Sequence, residues 1–394
     1  MQQTSTYHKL SGFYFGYYAI IGTFMPFWNL YLEHQGFNYQ QIGWLASIAI
    51  ITRFFAPFIW GWVADKTAQR MLLIRIACAV ECFIWLLIFI IPNNLQNIAL
   101  LMFIFSFFQN AILAQFESIT LFYLAERKNE LYAKIRKWGS IGFIAGVVII
   151  GAILDIVAIE ILPILLLSIS FLVFLWSLQI AEPSQAPQAQ QQLEPILPTL
   201  KQSTVWGFFL IQFILLFSHA PFYSFYSIFL HGLNYNKTQI GILWSLGVIA
   251  EIIMFAISSH FFKRFNLQYL LLFCLVLTAL RWLMVGYFAQ HFIIQILAQL
   301  IHAFSFGLFH LIAMRIIAHY FSAQQQGRAQ AVYSTVWGLA VASGSILIGQ
   351  HWQQIGGKMI FMLAGVICLM GILFIPLIPK SLTTRSNYNS KSNS

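Results

Sequence analysis

Charged residues are scarce in this sequence. Asp, Glu, Lys and Arg make up 8% of its 394 residues, and hydrophobic residues make up 60%. Soluble domains usually contain about 25% charged residues. A soluble protein with so few charges would expose a mostly apolar surface and aggregate. The composition therefore excludes a water-soluble globular protein and favours a protein embedded in lipid.

Acidic residues are the rarest charged type, and the formal net charge is +10. An excess of basic residues can indicate nucleic-acid binding. Here, however, the basic residues lie in short gaps between apolar runs and form no cluster in a polar domain. That distribution is typical of cytoplasmic loops between membrane helices. We therefore expect a lipid bilayer and small molecules as partners, and no nucleic acid.

The sequence also has few features of catalytic or metal-binding proteins. Its four cysteines lie inside apolar runs, where they are expected to be small packing residues, and no ligand spacing indicates a metal site. It contains no nucleophile-and-base constellation and no phosphate-binding glycine loop. We therefore expect that the protein is not an enzyme and needs no cofactor.

What the sequence does contain is a series of about twelve apolar runs, each long enough to cross a bilayer. The first run is too long for the apolar part of a signal peptide, so it should remain in the membrane. The predicted spans are residues 11–33, 40–64, 71–91, 98–124, 136–157, 160–181, 203–230, 238–261, 268–289, 292–318, 329–350 and 358–379.

Lys and Arg are distributed unequally between the two sides of these spans. With the N-terminus inside, the outer gaps contain only Lys237 and Lys358, and Arg53 and Arg281 fall within spans. All other basic residues lie on the inner side. This asymmetry predicts a multi-pass protein of the cell inner membrane with both termini in the cytoplasm. A monomer is expected.

The chain divides into two similar halves. A polar stretch rich in Pro and Gln follows the sixth span and is typical of a flexible linker. We predict a six-helix bundle over 1–181, a cytoplasmic linker over 182–202, a second six-helix bundle over 203–380 and a cytoplasmic tail over 381–394. Residues 26–43 and 221–241 repeat one pattern, from Pro-Phe-aromatic through His, Gly, Asn-Tyr to Gln-Ile-Gly.

This repeat predicts an all-α membrane protein with twelve transmembrane helices in two pseudo-symmetric six-helix bundles. Parallel six-helix repeats are the pattern of major facilitator carriers, whose substrate site lies between the halves near the bilayer midplane. The loop after the second span contains Gly61, Asp65, Lys66 and Arg70 and resembles the loop signature of that superfamily. The loop at 258–264 keeps a basic pair but lacks the Gly and the Asp.

Two further stretches resemble the lactose permease and 3-phenylpropionate permease branch of the superfamily. They are residues 132–143, which open the fifth span, and residues 281–315. The resemblance extends over nearly the whole chain. It implies secondary active, proton-coupled uptake of a small organic solute, with the proton gradient as the energy source. It also implies that Asp65 is a conformational latch and that an acid of the fourth helix pairs with Arg136.

Ionisable side chains inside a membrane helix cost about 2.5–3.5 kcal/mol or more, so each needs a reason. In the fourth span Glu117 shares one helix face with Ser106, Asn110 and Thr120. Such a polar stripe favours a substrate or proton carboxylate at Glu117. The alternative is a hydrogen bond that packs helices together.

The tenth span has a second polar face, formed by Gln295, Gln299, His302 and His310. A histidine titrates near pH 6.5 and can carry a coupling proton, although packing histidines are also common. In the lactose permease branch a carboxylate follows this histidine by one turn, but here Ser305 stands there. The proton acceptor is therefore left open between Glu251 and Glu117.

Arg281 suits a carboxylate substrate because its guanidinium stays charged and can bind two oxygens. The alternative is a structural ion pair with Glu251, whose counterpart in the first half of the repeat is Arg53. Glu81 has no identifiable partner and is interpreted as structural.

These observations predict a proton symporter that takes up a small organic acid, a 3-phenylpropionate-like aromatic carboxylate, by alternating access. One alternative is a proton-coupled transporter or exporter of a neutral solute such as a sugar or nucleoside. An alternative of another class is a membrane receptor that does not transport.

Overall fold

The computed structural model describes residues 2–124, 128–182 and 194–382. Throughout these residues the regular structure is helical, with no β-strand. Most of the predicted linker at 182–202 and of the predicted tail at 381–394 lies outside the described residues. The prediction of an all-α chain is confirmed.

Twelve long helical segments follow one another in the described part of the chain, and we label them α1 to α12. Their bounds are Gln2–His34, Tyr39–Thr67, Arg70–Leu87, Leu95–Leu124, Lys128–Ile156, Leu162–Ser177, Ser203–His231, Lys237–Arg264, Leu267–Tyr287, Phe292–Tyr320, Gln326–Ile355 and Gly357–Met370. Short 3₁₀ turns precede α6 at Ile159–Ile161 and follow α12 at Gly371–Leu377.

Ten of these segments, with α6 and α12 each taken together with its adjoining 3₁₀ turn, are long and apolar enough to cross a membrane by length and composition. The two others are α1, which is rich in tyrosine, and α3, whose 18 residues include Arg70, Arg75 and Glu81. Packing within the first half joins α3 with α4, α3 with α6 and α1 with α6. The corresponding pairs of the second half, α9 with α10, α9 with α12 and α7 with α12, are also packed together.

Two helices are interrupted where the sequence predicts continuous spans. In α7 the α-helical pattern breaks at His219, between Ser203–Ser218 and Ala220–His231. In α10 a π-helical turn, Ala303–Leu308, separates Phe292–His302 from Phe309–Tyr320. Apolar length alone cannot reveal such breaks, because they change the hydrogen-bond pattern and leave the hydropathy of the span unchanged.

The repeated sequence explains how α2 and α8 begin. Asn38 accepts a hydrogen bond from the backbone of Gln41, whose side chain accepts one from the backbone of Asn38. Asn236 and Gln239 form the same reciprocal pair at the start of α8. This capping box satisfies backbone donors that the first helical turn leaves without partners.

The chain forms two compact units, which do not coincide with its two halves in sequence. The first unit contains α1 to α6 together with Phe222–Ser245 and Ser345–Gln353. The second contains Leu246–Gly344, the earlier part of α7 and the chain from Gln354 onward. In the first unit, therefore, one end each of α7, α8 and α11 packs with the helices of the first half.

Glycines bring these ends close to the first-half helices. A Cβ atom on Gly43 of α2 would lie 2.5 Å from the carbonyl oxygen of Ser345 and 3.1 Å from Cα of Gly349, both in α11. In the equivalent crossing of α8 with α5, a Cβ on Gly241 would lie 2.6 Å from the carbonyl oxygen of Val147. Small residues allow backbones to approach this closely.

Asp155, near the end of α5, adds a polar contact beside the second crossing. Its carboxylate accepts hydrogen bonds from the backbone nitrogens of Lys237 and Thr238, at 2.7 and 2.9 Å, and from the Thr238 hydroxyl at 2.6 Å. A carboxylate at the first turn of α8 also interacts favourably with the helix dipole.

Candidate functional site

In the second unit, the Arg281 side chain is fully buried in the middle of the membrane helices. Its guanidinium meets three acceptors on α10. Nη1 lies 2.8 Å from Nδ1 of His302 and 3.3 Å from the Ser305 hydroxyl, and Nη2 donates to Oε1 of Gln299 at 3.0 Å. Arg281, His302 and Gln299 are 0%, 5% and 0% exposed. These side chains form one buried polar cluster.

His302 links Arg281 to an acid on another helix. Its Nε2 lies 2.6 Å from Oε1 of Glu251 on α8. Because a guanidinium can only donate, Nδ1 of His302 must accept from Arg281, and the ring proton is assigned to Nε2, facing Glu251. His302 therefore meets a carboxylate from α8, whereas α10 has none one turn after this histidine.

The π turn of α10 begins directly after His302 and contains Ser305. Gly307 in the same turn faces α8, where a Cβ atom would lie 3.6 Å from Cα of Glu251. π turns are rare and occur frequently at functional sites. This turn lets α10 present His302 and Ser305 to Arg281 while its Gly307 passes close to α8.

His219 also belongs to this neighbourhood, although it is not among the predicted site residues. It lies at the break in α7, and its Nδ1 is 2.7 Å from the carbonyl oxygen of Leu215. Its ring meets Trp282 edge-on at 4.8 Å and lies 6.3 Å from the His302 ring. Trp282 also packs against Arg281, at 4.5 Å. The sequence signal for His219 is its place inside an apolar run.

The other polar residues of α10 have different partners. His310 contacts the Tyr333 hydroxyl through Nδ1 at 3.1 Å. Gln295 donates to the backbone oxygens of Met284 and Phe288, at 3.3 and 3.4 Å. The predicted stripe therefore divides into a central part, Gln299 and His302, that meets Arg281, and two ends that bond elsewhere.

A second charged cluster lies in the first unit, around Arg136 of α5. Its Nε is 3.6 Å from Oε1 of Glu117 on α4, and Nη2 contacts the Tyr18 hydroxyl. The guanidinium also lies over the rings of Tyr18 and Tyr14, at 4.5 and 5.4 Å. The Arg136 and Glu117 side chains are 31% and 36% exposed. Solvent can therefore reach this pair, whereas the Arg281 cluster is buried.

Asn110 shares the α4 stripe with Glu117 but has its own partner, the Thr52 hydroxyl of α2, at 3.0 Å. Ser106 bonds back to the carbonyl oxygen of Met102 at 2.6 Å. These two polar residues thus have local packing contacts, and Glu117 is the member of the stripe that meets a cation.

The loop between α2 and α3 brings Asp65 and Arg70 together at 2.5 Å. Arg70 also contacts the Gln115 side chain of α4. Lys66 lies over the Trp62 ring at 5.2 Å, and Gly61 has open space around it. The acid that caps the start of α3 is a different one, Glu182, which accepts from the backbone nitrogen of Met71 at 2.7 Å.

The two clusters offer different chemistry. The buried one joins a permanent cation to a carboxylate through a histidine that can change its proton occupancy, which suits proton binding. The exposed one presents a guanidinium between aromatic rings, which suits binding of a planar or anionic group. Each cluster lies within one unit.

The sequence is similar to those of known transport proteins over nearly its whole length. Over 373 residues the chain is 26% identical to a protein of Escherichia coli (strain K12) described as a probable 3-phenylpropionic acid transporter, covering 92% of this chain and 94% of the relative. Over 387 residues it is 24% identical to the maltose permease of Geobacillus stearothermophilus, covering 93% of both.

Solved structures show the same fold at lower identity. A crystal structure of a mutant of the nucleoside transporter NupG superposes with a TM-score of 0.84 at 17% identity, covering 95% of this chain and 100% of that one. A bacterial homolog of the human lysosomal transporter Spinster, in an inward-facing and unoccupied conformation, gives 0.71 at 12% identity, covering 94% and 96%. Residues 7–363 match the model of the MFS_1 like family. The chain therefore belongs to the MFS_1 like family and is a membrane transporter of the major facilitator type, not an enzyme.

Proposed function

We propose that this transporter is a proton symporter that takes up a small organic acid, an aromatic carboxylate of the 3-phenylpropionate type. It acts as a monomer in the cell inner membrane, with both termini in the cytoplasm. The proton gradient supplies the energy, and no cofactor is needed. Transport proceeds by alternating access, in which the binding site opens to one side of the membrane and then to the other.

The observation that carries this proposal is the connected set Arg281, His302 and Glu251. Glu251 and His302 lie 2.6 Å apart, so a proton arriving at either one changes the hydrogen bond between them. His302 also accepts from Arg281, at 2.8 Å, so the same proton changes how firmly the guanidinium is held. A site in which proton binding alters the contacts of a buried cation is suited to couple a proton to an anion.

Charge balance favours the transport of a carboxylate together with a proton. A carboxylate substrate that moves with one proton adds no net charge to the site. Burying a neutral set of groups costs far less than burying an uncompensated ion. The Arg136 cluster supports an aromatic acid in particular, because a guanidinium flanked by Tyr14 and Tyr18 can bind both a carboxylate and an aromatic ring. The description of the Escherichia coli relative names the same class of substrate.

A neutral solute is the second candidate, and one observation favours it. Arg281 already has three acceptors on α10, so it can be explained as a structural cation that organises the proton site. The maltose permease and the nucleoside transporter NupG are named for neutral cargo. Membership in a transporter family argues against the receptor alternative.

The test is uptake of radiolabelled 3-phenylpropionate into proteoliposomes that contain the purified protein, with and without an inward proton gradient. We expect accumulation only with the gradient, and its loss in Glu117→Gln and Arg281→Ala. Glu160→Gln is the matched control, because Glu160 is half exposed and pairs with His34, at 3.4 Å, away from both clusters. No uptake of the acid, together with accumulation of a sugar or nucleoside by the same vesicles, would refute the organic-acid proposal and support the neutral-solute one.

A further inference from the structure

Glu81 is a buried acid that the site described above does not use. It lies eleven residues after the start of α3 at Arg70, which is about 16 Å along the helix axis and near the middle of a bilayer. The residue is 0% exposed. An acid at this depth has a functional or structural purpose that offsets the cost of placing it there.

The partner of Glu81 is the side chain of Gln109 on α4. The terminal amide of Gln109, which is itself 7% exposed, lies against both carboxyl oxygens of Glu81. Within the described residues, no Lys, Arg or His forms an ion pair with Glu81. Because a buried carboxylate without a cation is strongly unfavourable, the carboxyl group holds a proton in this environment.

Gln109 can satisfy Glu81 in either protonation state. A protonated carboxyl donates its O–H to the amide oxygen. A carboxylate instead accepts from the amide NH₂, which after a half-turn of the amide lies 3.1 Å from Oε2 of Glu81. One side chain with a donor and an acceptor can therefore follow the gain and loss of a proton without moving the helices. An apolar neighbour, or a single fixed donor, could not do this.

The surroundings contain few other groups that could take the proton. On α3, Cys78 lies one turn before Glu81 and Cys82 directly follows it. The helix α6, which packs against α3, has no charged side chain. On α4 the one acid is Glu117. Two more titratable groups lie nearby, Tyr17 of α1 and Arg53 of α2, and Tyr17 is close enough to Arg53 and to Glu81 to respond to a charge on either.

A chain of contacts leads from Glu81 to the exposed cluster of the first unit. The Tyr17 hydroxyl donates to the backbone oxygen of Gln109 at 3.3 Å. The Tyr17 ring meets the Tyr18 ring edge-on at 5.2 Å, and the Tyr18 hydroxyl contacts Arg136. A change of charge at Glu81 can thus affect the groups around Arg136 through α1 and α4.

We propose that Glu81 and Gln109 form a second proton-binding site, buried in the first unit and separate from the Glu251–His302 pair. The site gains and loses a proton during the transport cycle and passes the change to the Arg136 cluster. Its role in the cycle rests on the proposed proton coupling, whereas the presence of a protonated carboxyl at Glu81 does not.

The first experiment needs no substrate. Infrared spectra of the purified full-length protein are compared for the wild type, Glu81→Gln and the control Cys82→Ala, a change on the same helix. We expect the carbonyl band of a buried protonated carboxyl group in the wild type and in Cys82→Ala, and its loss in Glu81→Gln. A band of unchanged intensity in Glu81→Gln, or no such band in the wild type, would overturn the assignment.

The second experiment measures coupling in proteoliposomes with 3-phenylpropionate. Glu81→Gln keeps the side-chain volume and an amide for Gln109 but cannot exchange a proton. It is expected to lose gradient-driven accumulation and to retain counterflow exchange. Glu81→Asp retains a carboxyl group and is expected to retain accumulation. Full accumulation by Glu81→Gln, or equal loss in both variants, shows a structural residue and overturns the proposal.

The controls separate this inference from the proposed function. If the wild type accumulates nothing in a proton gradient, the proposed symport fails, and the infrared result alone decides whether Glu81 holds a proton. If the wild type accumulates the acid and Glu81→Gln does so equally well, symport stands and the second site fails.

Discussion

Gly43→Ala tests whether the close crossing of α2 with α11 stabilises the conformation seen here. The added methyl carbon would lie 2.5 Å from the carbonyl oxygen of Ser345 and 3.1 Å from Cα of Gly349. Both of these atoms belong to backbone and cannot rotate away. The helices must therefore separate by roughly 1 Å before the contact becomes an ordinary van der Waals one.

The expected magnitude follows from this overlap. Overpacking of a tight contact costs about 1–3 kcal/mol. If the crossing is closed in one conformation and open in the other, that energy changes their ratio by a factor of about 5 to 150. Gly241→Ala should have a similar effect, because its Cβ would lie 2.6 Å from the carbonyl oxygen of Val147 in the equivalent crossing.

Pulsed electron paramagnetic resonance can measure the outcome, with spin labels at Gln40 and Gln353, which are exposed near the two ends that meet. We expect Gly43→Ala to move the distance distribution towards longer values. Gly61→Ala is the matched control, because a Cβ atom there meets nothing within 4 Å. If Gly43→Ala gives the same distribution as Gly61→Ala and the wild type, the crossing does not control the conformation and the reasoning is wrong.

Three further substitutions test the charged groups. Arg281→Lys replaces a planar group that reaches three acceptors with a compact ammonium; each lost charge-assisted hydrogen bond costs about 1.5–3 kcal/mol, so the melting temperature should fall. Transport by the same variant should be abolished for an organic acid, whereas transport that is merely weakened indicates a neutral cargo. In Glu251→Gln the amide oxygen can still accept a hydrogen bond from His302, so folding and counterflow should persist while proton-driven accumulation is lost. Unchanged accumulation would exclude Glu251 as a proton carrier. Asp65→Asn removes an ion pair whose acid is 71% exposed, so the free energy of unfolding should change by less than about 1 kcal/mol. The transport rate should fall. An unchanged rate and an unchanged ratio of inward to outward states would contradict a latch.

Helix positions could be predicted from the sequence because hydrocarbon thickness imposes a length on every span. The predicted span 238–261 lies inside the observed Lys237–Arg264, and the predicted span 268–289 covers most of Leu267–Tyr287. The polar start of α1, from Gln2, and the ends of long helices were missed, because hydropathy marks the apolar part of a helix and not its hydrogen-bonded length. The repeated Asn and Gln residues could have identified the starts of α2 and α8, since their spacing is that of a capping box.

For the candidate site, sequence spacing places residues on one helix but does not pair helices. The α10 stripe identifies His302 and Gln299 as neighbours, and the structure adds that Arg281 of α9 and Glu251 of α8 meet them. The same stripe includes Gln295, which bonds to backbone and packs two helices together. The assignment of Glu117 with Arg136 came from the family resemblance, and the two side chains lie 3.6 Å apart; their role in transport stays a prediction.

The π turn in α10 also bears on how this helix tolerates insertions and deletions. A π turn holds one more residue than the α-helical turn it replaces. Deletion of one residue within Ala303–Leu308 would restore α-helical bonding and leave the span long enough to cross the membrane. Because the turn accommodates its extra residue locally, the segments before and after it would keep their present relative orientation. His302 would then keep Arg281 and His310 would keep Tyr333, while Ser305, inside the turn, would lose its place beside Arg281. The turn thus lets this helix lose one residue without separating the partners of its two histidines.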